Sequence, residues 1–180
     1  MTDYFALLDE ARRPWLDPEE LKQKYHRLSR AAPPDAEINE AFRVLSDPKL
    51  RLHHLLTLEG ADLAAGRRVP KAVAEFFWKG GDLLREMDRW LLKNAEATSK
   101  LSQALLQPER ARLDDKLSRF EEQLHAAYEF ELVQIQELDS AWSADSPNDL
   151  AKLIELYDSN SYLTRLLERT AEKRFQLGVA

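Results

Sequence analysis

Two apolar stripes stand either side of a short block of helix-breaking residues between Leu21 and Leu56, and they restrict the folds open to this chain. Leu21, Tyr25, Leu28 and Ala32 are spaced 4, 3 and 4 apart; Ile38, Ala41, Phe42 and Leu45 are spaced 3, 1 and 3 apart. Each set lies on one face of a helix with a 3.6-residue period. Pro33-Pro34-Asp35 separates them. The first proline lacks an N–H, and the second disfavours helical backbone at the residue before it. The pattern predicts an antiparallel hairpin of helices with its turn presented at one end.

The flanking residues fix the helix starts. Asp17 is a good N-cap, Pro18 suits the first helical position, and Glu19 and Glu20 favour the positive end of the helix dipole. Leu16 can staple onto Leu21, so a helix is predicted from Pro18 to about Arg30. Its polar faces carry Lys22, Lys24, His26, Arg27 and Arg30. Two readings stay open for them: cations that complement the dipole and solvate the surface, or a docking patch for an acidic partner. Asp35 can cap a helix over 36–46, and Asp47-Pro48 starts another from Pro48 to Glu59, stopped by Gly60. Upstream, Asp3 to Leu8 reads as one or two helical turns broken by Arg12-Arg13-Pro14. His53 and His54 lack a metal ligand set and read as surface or partly packed side chains.

Residues 61–70 read as a linker, and long-helical periodicity resumes at Lys71. Val73, Phe76 and Phe77 lead a segment interrupted by Gly80-Gly81 and continued by Leu83, Leu84, Met87, Leu91 and Leu92. Each glycine costs a helix interior about 1 kcal/mol relative to alanine, so the pair suggests a kink, a helix start or a close approach of another backbone. Pro108-Glu109 is expected to open the longest helix, with Leu113, Leu117, Phe120 and Leu124 on one stripe. Ser146-Pro147 caps a last helix carrying Leu150, Leu153, Tyr157, Leu163, Leu166 and Leu167. Three long helices with short connections predict a three-helix bundle over 71–180. The expected fold class is all-α: a helical hairpin domain over 1–60, then this bundle.

Composition narrows the function classes. Hydrophobic residues make up 44% and charged residues 32%, which suits a soluble globular chain. No run has the length to span a bilayer, and the acidic N-terminus lacks a basic leader, so a cytoplasmic location is expected. There is no cysteine, which excludes disulfides, thiolate zinc sites and cysteine-held iron–sulfur clusters. A net charge of −6 without a long basic block argues against bulk nucleic-acid binding. Phosphate loops, nucleophile elbows and metalloprotease motifs are absent, and the carboxylates follow helix-surface spacing. The reading therefore leans against an enzyme and against a cofactor.

The order of elements resembles a J domain, and most closely an HscB-type co-chaperone, in which a J domain precedes a three-helix bundle. Asp3-Tyr4-Phe5 matches the family's opening; Leu21, Tyr25, Leu28 and Arg30 fall at its second-helix spacing. The run Ile38-Asn39-Glu40-Ala41-Phe42-Arg43-Val44-Leu45-Ser46-Asp47-Pro48, with Arg51, Leu55-Leu56 and Leu58-Glu59-Gly60, is similar to the family's INxAFxxLxDPxxR…YLLxLxG pattern. The resemblance is specific over residues 3–60. Beyond that it rests on helix order and local echoes at Glu75-Phe76-Phe77-Trp78 and Tyr162-Leu163-Thr164-Arg165-Leu166.

The resemblance implies an adaptor without catalysis of its own. Its first partner would be a DnaK-type ATPase chaperone, engaged through Lys24, Arg30, Pro34 and Asp35. Its second would be an iron–sulfur cluster scaffold protein, engaged through an apolar and acidic helix face to which Phe77, Trp78, Asp82 and Tyr162 contribute. At the family's His-Pro-Asp triplet this chain has Pro33-Pro34-Asp35, so proline replaces the imidazole. Proline cannot supply a ring that donates and accepts hydrogen bonds, which puts efficient ATPase stimulation in doubt. The alternative is a J-like interaction scaffold without chaperone stimulation, with the triplet acting as a rigid turn. The plain structural reading of Phe77 and Tyr162 is core packing, and Trp78 is the better surface candidate if Phe77 faces inward.

Overall fold

A computed structural model describes residues 2–31, 36–63 and 69–179. Pro33, Pro34 and Asp35, and residues 64–68 of the expected linker, lie outside the described residues. Regular structure among the described residues is entirely helical. The helices are α1 (Tyr4–Leu7), α2 (Pro18–Ala31), α3 (Ala36–Ser46), α4 (Pro48–Leu58), α5 (Ala74–Glu96), α6 (Lys100–Ser140) and α7 (Pro147–Val179), with a 3-10 turn at Lys71–Val73.

Side-chain caps explain most of the helix starts. The Asp3 carboxylate accepts the N–H groups of Phe5 and Ala6 at 3.0 and 3.3 Å. Asp17 accepts those of Glu19 and Glu20 at 2.9 Å, and Asp47 accepts that of Leu50 at 2.9 Å. Ser146 accepts the Asp149 N–H at 3.3 Å. Each cap satisfies a donor that the first helical turn leaves without a partner. At the other end of α4 the chain turns through Gly60 at φ +70°. There the Ala61 N–H bonds the Leu56 carbonyl at 2.9 Å and the Gly60 N–H that of Thr57 at 3.2 Å, a Schellman stop.

The chain divides into two compact units: Met1–Arg68 with Glu131–Asn160, and Val69–Phe130 with Ser161–Ala180. The division runs differently from the boundary suggested by the sequence, because α6 and α7 each contribute residues to both units. In the first unit α3 packs against α1, α2 and α4. Phe5, Leu8, Leu16, Leu21, Ala41, Leu45, Leu52, Leu55 and Leu56 share one core with Ile135, Leu138, Leu153, Leu156 and Tyr157. Polar contacts tie the same segments. Asp139 takes both the Arg13 guanidinium and the Trp15 N–H, the latter at 3.0 Å. Arg51 is buried, donates to the carbonyls of Pro14 at 2.9 Å and Leu45 at 2.7 Å, and lies over the Trp15 ring. That geometry gives a structural role to the arginine in the Asp47-Pro48…Arg51 motif.

The second unit has its own core: Leu83, Leu84, Met87 and Trp90 from α5, Leu113, Leu117, Phe120 and Leu124 from α6, and Leu163, Leu166 and Leu177 from α7. The buried Trp90 indole donates to the Leu106 carbonyl at 3.2 Å. Two expectations are corrected here. Gly80-Gly81 does not interrupt α5, which runs unbroken to Glu96. The close approach at Gly80 is made by side chains: a Cβ there would sit 3.0 Å from Phe120 Cζ and 3.1 Å from Leu166 Cδ1. Nor does Pro108 open the longest helix. That helix starts at Lys100, where Ser99 Oγ accepts the Ser102 N–H at 3.0 Å, and it carries Pro108 inside. Pro108 and Ala104 are both exposed, so water can serve the carbonyl that the proline leaves without a donor.

Candidate functional site

The exposed face of α2 is cationic. Gln23, His26, Arg27 and Arg30 line an open hollow along it. Arg27 and Arg30 have no ion pair among the described residues. Lys24 is used differently: its ammonium bonds the Asp9 carbonyl at 2.8 Å and the Glu10 carboxylate at 2.9 Å. Asp9 adopts φ +55°, a left-handed conformation that aspartate tolerates better than most residues. Lys24 thus pins the turn that follows α1, while Arg30, exposed near the end of α2, has no such tie among the described residues. Pro34 and Asp35, the other two residues assigned to chaperone contact, lie outside the described residues.

In the second unit a groove of about 330 Å³ opens along α5 and α7. Phe77, Trp78 and Tyr162 line it together, over Gly81, Leu84 and Leu166. Phe77 and Trp78 meet edge to face with ring centroids 5.1 Å apart, and Phe77 lies 6.3 Å from Tyr162. Phe77 is 45% exposed and Trp78 69%. Core packing is therefore the wrong reading of Phe77; its neighbour Phe76 packs against the core instead. Tyr162 is partly buried at the core margin. Burial pushes its phenol above the ordinary range, and the nearby Arg169 charge works against that.

Asp82 is on the exposed surface of α5 and bonds the Arg85 guanidinium at 2.5 Å without lining the groove. The rim is instead basic, with Arg85, Arg165 and Arg169 beside one acid, Asp88. Lys173 pairs Asp88 at 2.6 Å, whereas Arg165 and Arg169 have no ion pair among the described residues. Sequence reading missed these arginines. Their signal was spacing: Tyr162, Arg165 and Arg169 stand 3 and 4 apart, which places them on one face of α7.

Among the described residues no cluster of three His, Asp or Glu side chains could hold a metal ion. No described helix is long and apolar enough to cross a membrane. What both surfaces offer is recognition chemistry: on α2, cations without an ion pair among the described residues, and in the groove of the second unit, aromatic rings lining the same hollow as Arg165 and Arg169. No protein-family model matches the chain.

Proposed function

We propose that this protein is a J-type co-chaperone adaptor of the HscB kind, linking a DnaK-type ATPase chaperone to an iron–sulfur cluster scaffold protein. The reading gives the first unit a J-domain-like hairpin and the second unit part of the scaffold-binding bundle. The observation that carries it is the free cationic face of α2, with Arg27 and Arg30 exposed on the helix that leads into Pro33-Pro34-Asp35. Such a face attracts an acidic surface and speeds encounter with it. The resemblance over residues 3–60 supplies the identity of that partner, and the aromatic groove supplies a second docking surface. In this reading the protein works in the cytoplasm, holds no cofactor and catalyses nothing itself.

Pro33 favours a second reading, a J-like interaction scaffold that does not stimulate the chaperone, because the imidazole of the family triplet is missing. Single-turnover ATP hydrolysis by the host's DnaK-type chaperones separates the two. The natural chain should stimulate hydrolysis, and Arg27→Glu/Arg30→Glu should reduce chaperone binding about tenfold at low salt and less at high salt. Lys24→Glu is a poor probe because it also releases the Asp9–Glu10 turn. Stimulation only after Pro33→His would favour the scaffold reading. No stimulation by either form, with binding indifferent to the α2 charge reversal, would remove the co-chaperone reading.

A further inference from the structure

The groove in the second unit has a chemistry of its own. Its aromatic lining is Phe77, Trp78 and Tyr162; Trp78, more than two-thirds exposed, covers no core. Of its charged groups, Asp88 is neutralised by Lys173 and Arg85 is shared with Asp82. Arg165 and Arg169 remain, so the groove is locally positive on a chain whose net charge is −6. We infer that the groove binds an acidic protein segment, seating one large apolar side chain against the three aromatic rings with flanking carboxylates on Arg165 and Arg169.

Geometry and charge both favour that occupant. At about 330 Å³ the groove suits one or two side chains, at the small end of the range for ligand sites. Guanidinium groups bind carboxylates through paired N–H donors, and aromatic residues with arginine are the usual anchors of protein interfaces. A nucleic acid would need a longer track of cations than two free arginines provide, and the chain's net charge of −6 opposes it further. The inference deepens the scaffold-docking half of the proposed function and rests on it. The partner surface it specifies is acidic, whereas the family resemblance leads one to expect an acidic groove.

The test uses the full chain and three labelled synthetic peptides read by fluorescence anisotropy. One carries Trp and Leu between glutamates, the second has every Glu replaced by Gln, and the third has every Glu replaced by Lys. The glutamate peptide should bind at least about tenfold more tightly than the glutamine one, lose that advantage at high salt, and leave the lysine peptide weakest. Arg165→Glu/Arg169→Glu should reverse the order of the glutamate and lysine peptides. Trp78→Ala should weaken the glutamate and glutamine peptides alike. All three side chains are exposed, so unchanged helical circular dichroism is the control for folding.

Equal binding of the three peptides, or indifference to the arginine reversal, overturns the inference. So does a Trp78-dependent dimer that excludes peptide, or binding of oligothymidylate in place of peptide. Peptide binding, with no chaperone stimulation by either form and chaperone binding indifferent to the α2 charge reversal, would keep the inference and remove the co-chaperone reading. Stimulation without peptide binding would do the opposite.

Discussion

His54 is 5% exposed; its imidazole stacks on Tyr4 with ring centroids 4.6 Å apart and accepts the Tyr4 N–H through Nε2 at 3.1 Å. An accepting Nε2 requires the neutral ring with its proton on Nδ1. Burial pulls its pKa below the ordinary 6.5; Asp3 opposes this, and His53 and Arg12 add to it. The unfolded chain therefore takes up a proton at a higher pH than the native one. Its stabilising contribution is whole above 6.5 and is lost as pH falls through the lowered native value. His54→Leu should cost about 1–3 kcal/mol near neutral pH, because the Tyr4 N–H loses its acceptor. The variant should also lose part of the decline in stability below pH 6.5, so that the gap to the natural chain narrows in acid. Urea midpoints on both sides of that pH would check it, and a constant gap would count against the neutral ring. The sequence shows that His53 and His54 lack metal-ligand company. It does not show which of the two faces the core, because that depends on the helical phase set when α1 packs.

At the scale of elements, local chemistry was legible wherever a side chain acts on its own backbone. Asp17, Asp47 and Ser146 cap helices where their positions predict. Misreadings came where tertiary packing overrides local preference. Pro108 is tolerated inside α6 because it sits on the exposed face, and the glycine pair is tolerated inside α5 because Gly80 makes room for Phe120 and Leu166. The two glycines therefore differ. A Cβ on Gly81 would come nearest to the Arg85 guanidinium, with Nη1 at 3.5 Å, an ordinary contact with a flexible end. Gly81→Ala should stabilise by about 0.5–1 kcal/mol through helix propensity. Gly80→Ala should forfeit that gain and become destabilising, since the phenyl ring at 3.0 Å must shift within a packed core. Urea unfolding of the two variants side by side measures the difference; equal gains would mean that Phe120 and Leu166 yield freely. The arginines of the groove were illegible for a related reason. Their i, i+3 and i+7 spacing was visible on α7, but only the packed unit brings that face beside Phe77 and Trp78.

Across the whole molecule, the order of the chain and the order of folding units diverge. Residues 3–60 carry all the specific motifs, which makes them read as a self-sufficient domain. Yet their core includes Ile135, Leu138, Leu153, Leu156 and Tyr157, and their Arg13 and Trp15 N–H are held by Asp139. Burying a large apolar side chain contributes about 1.5–3 kcal/mol, so five together rival the entire 5–15 kcal/mol stability usual for a domain. Removing them also leaves the rest of that shared core partly open to water. A fragment ending at Arg68 should therefore show reduced helical circular dichroism and no cooperative melt. Adding a separate peptide spanning residues 131–160 should restore helix and a transition, because that segment completes the unit. An Asp139→Asn peptide should restore less, since it weakens the pairing with Arg13. A fragment that melts cooperatively alone would mean that α1 to α4 close their own core, and residues 131–160 would then be a later covering of an already stable domain.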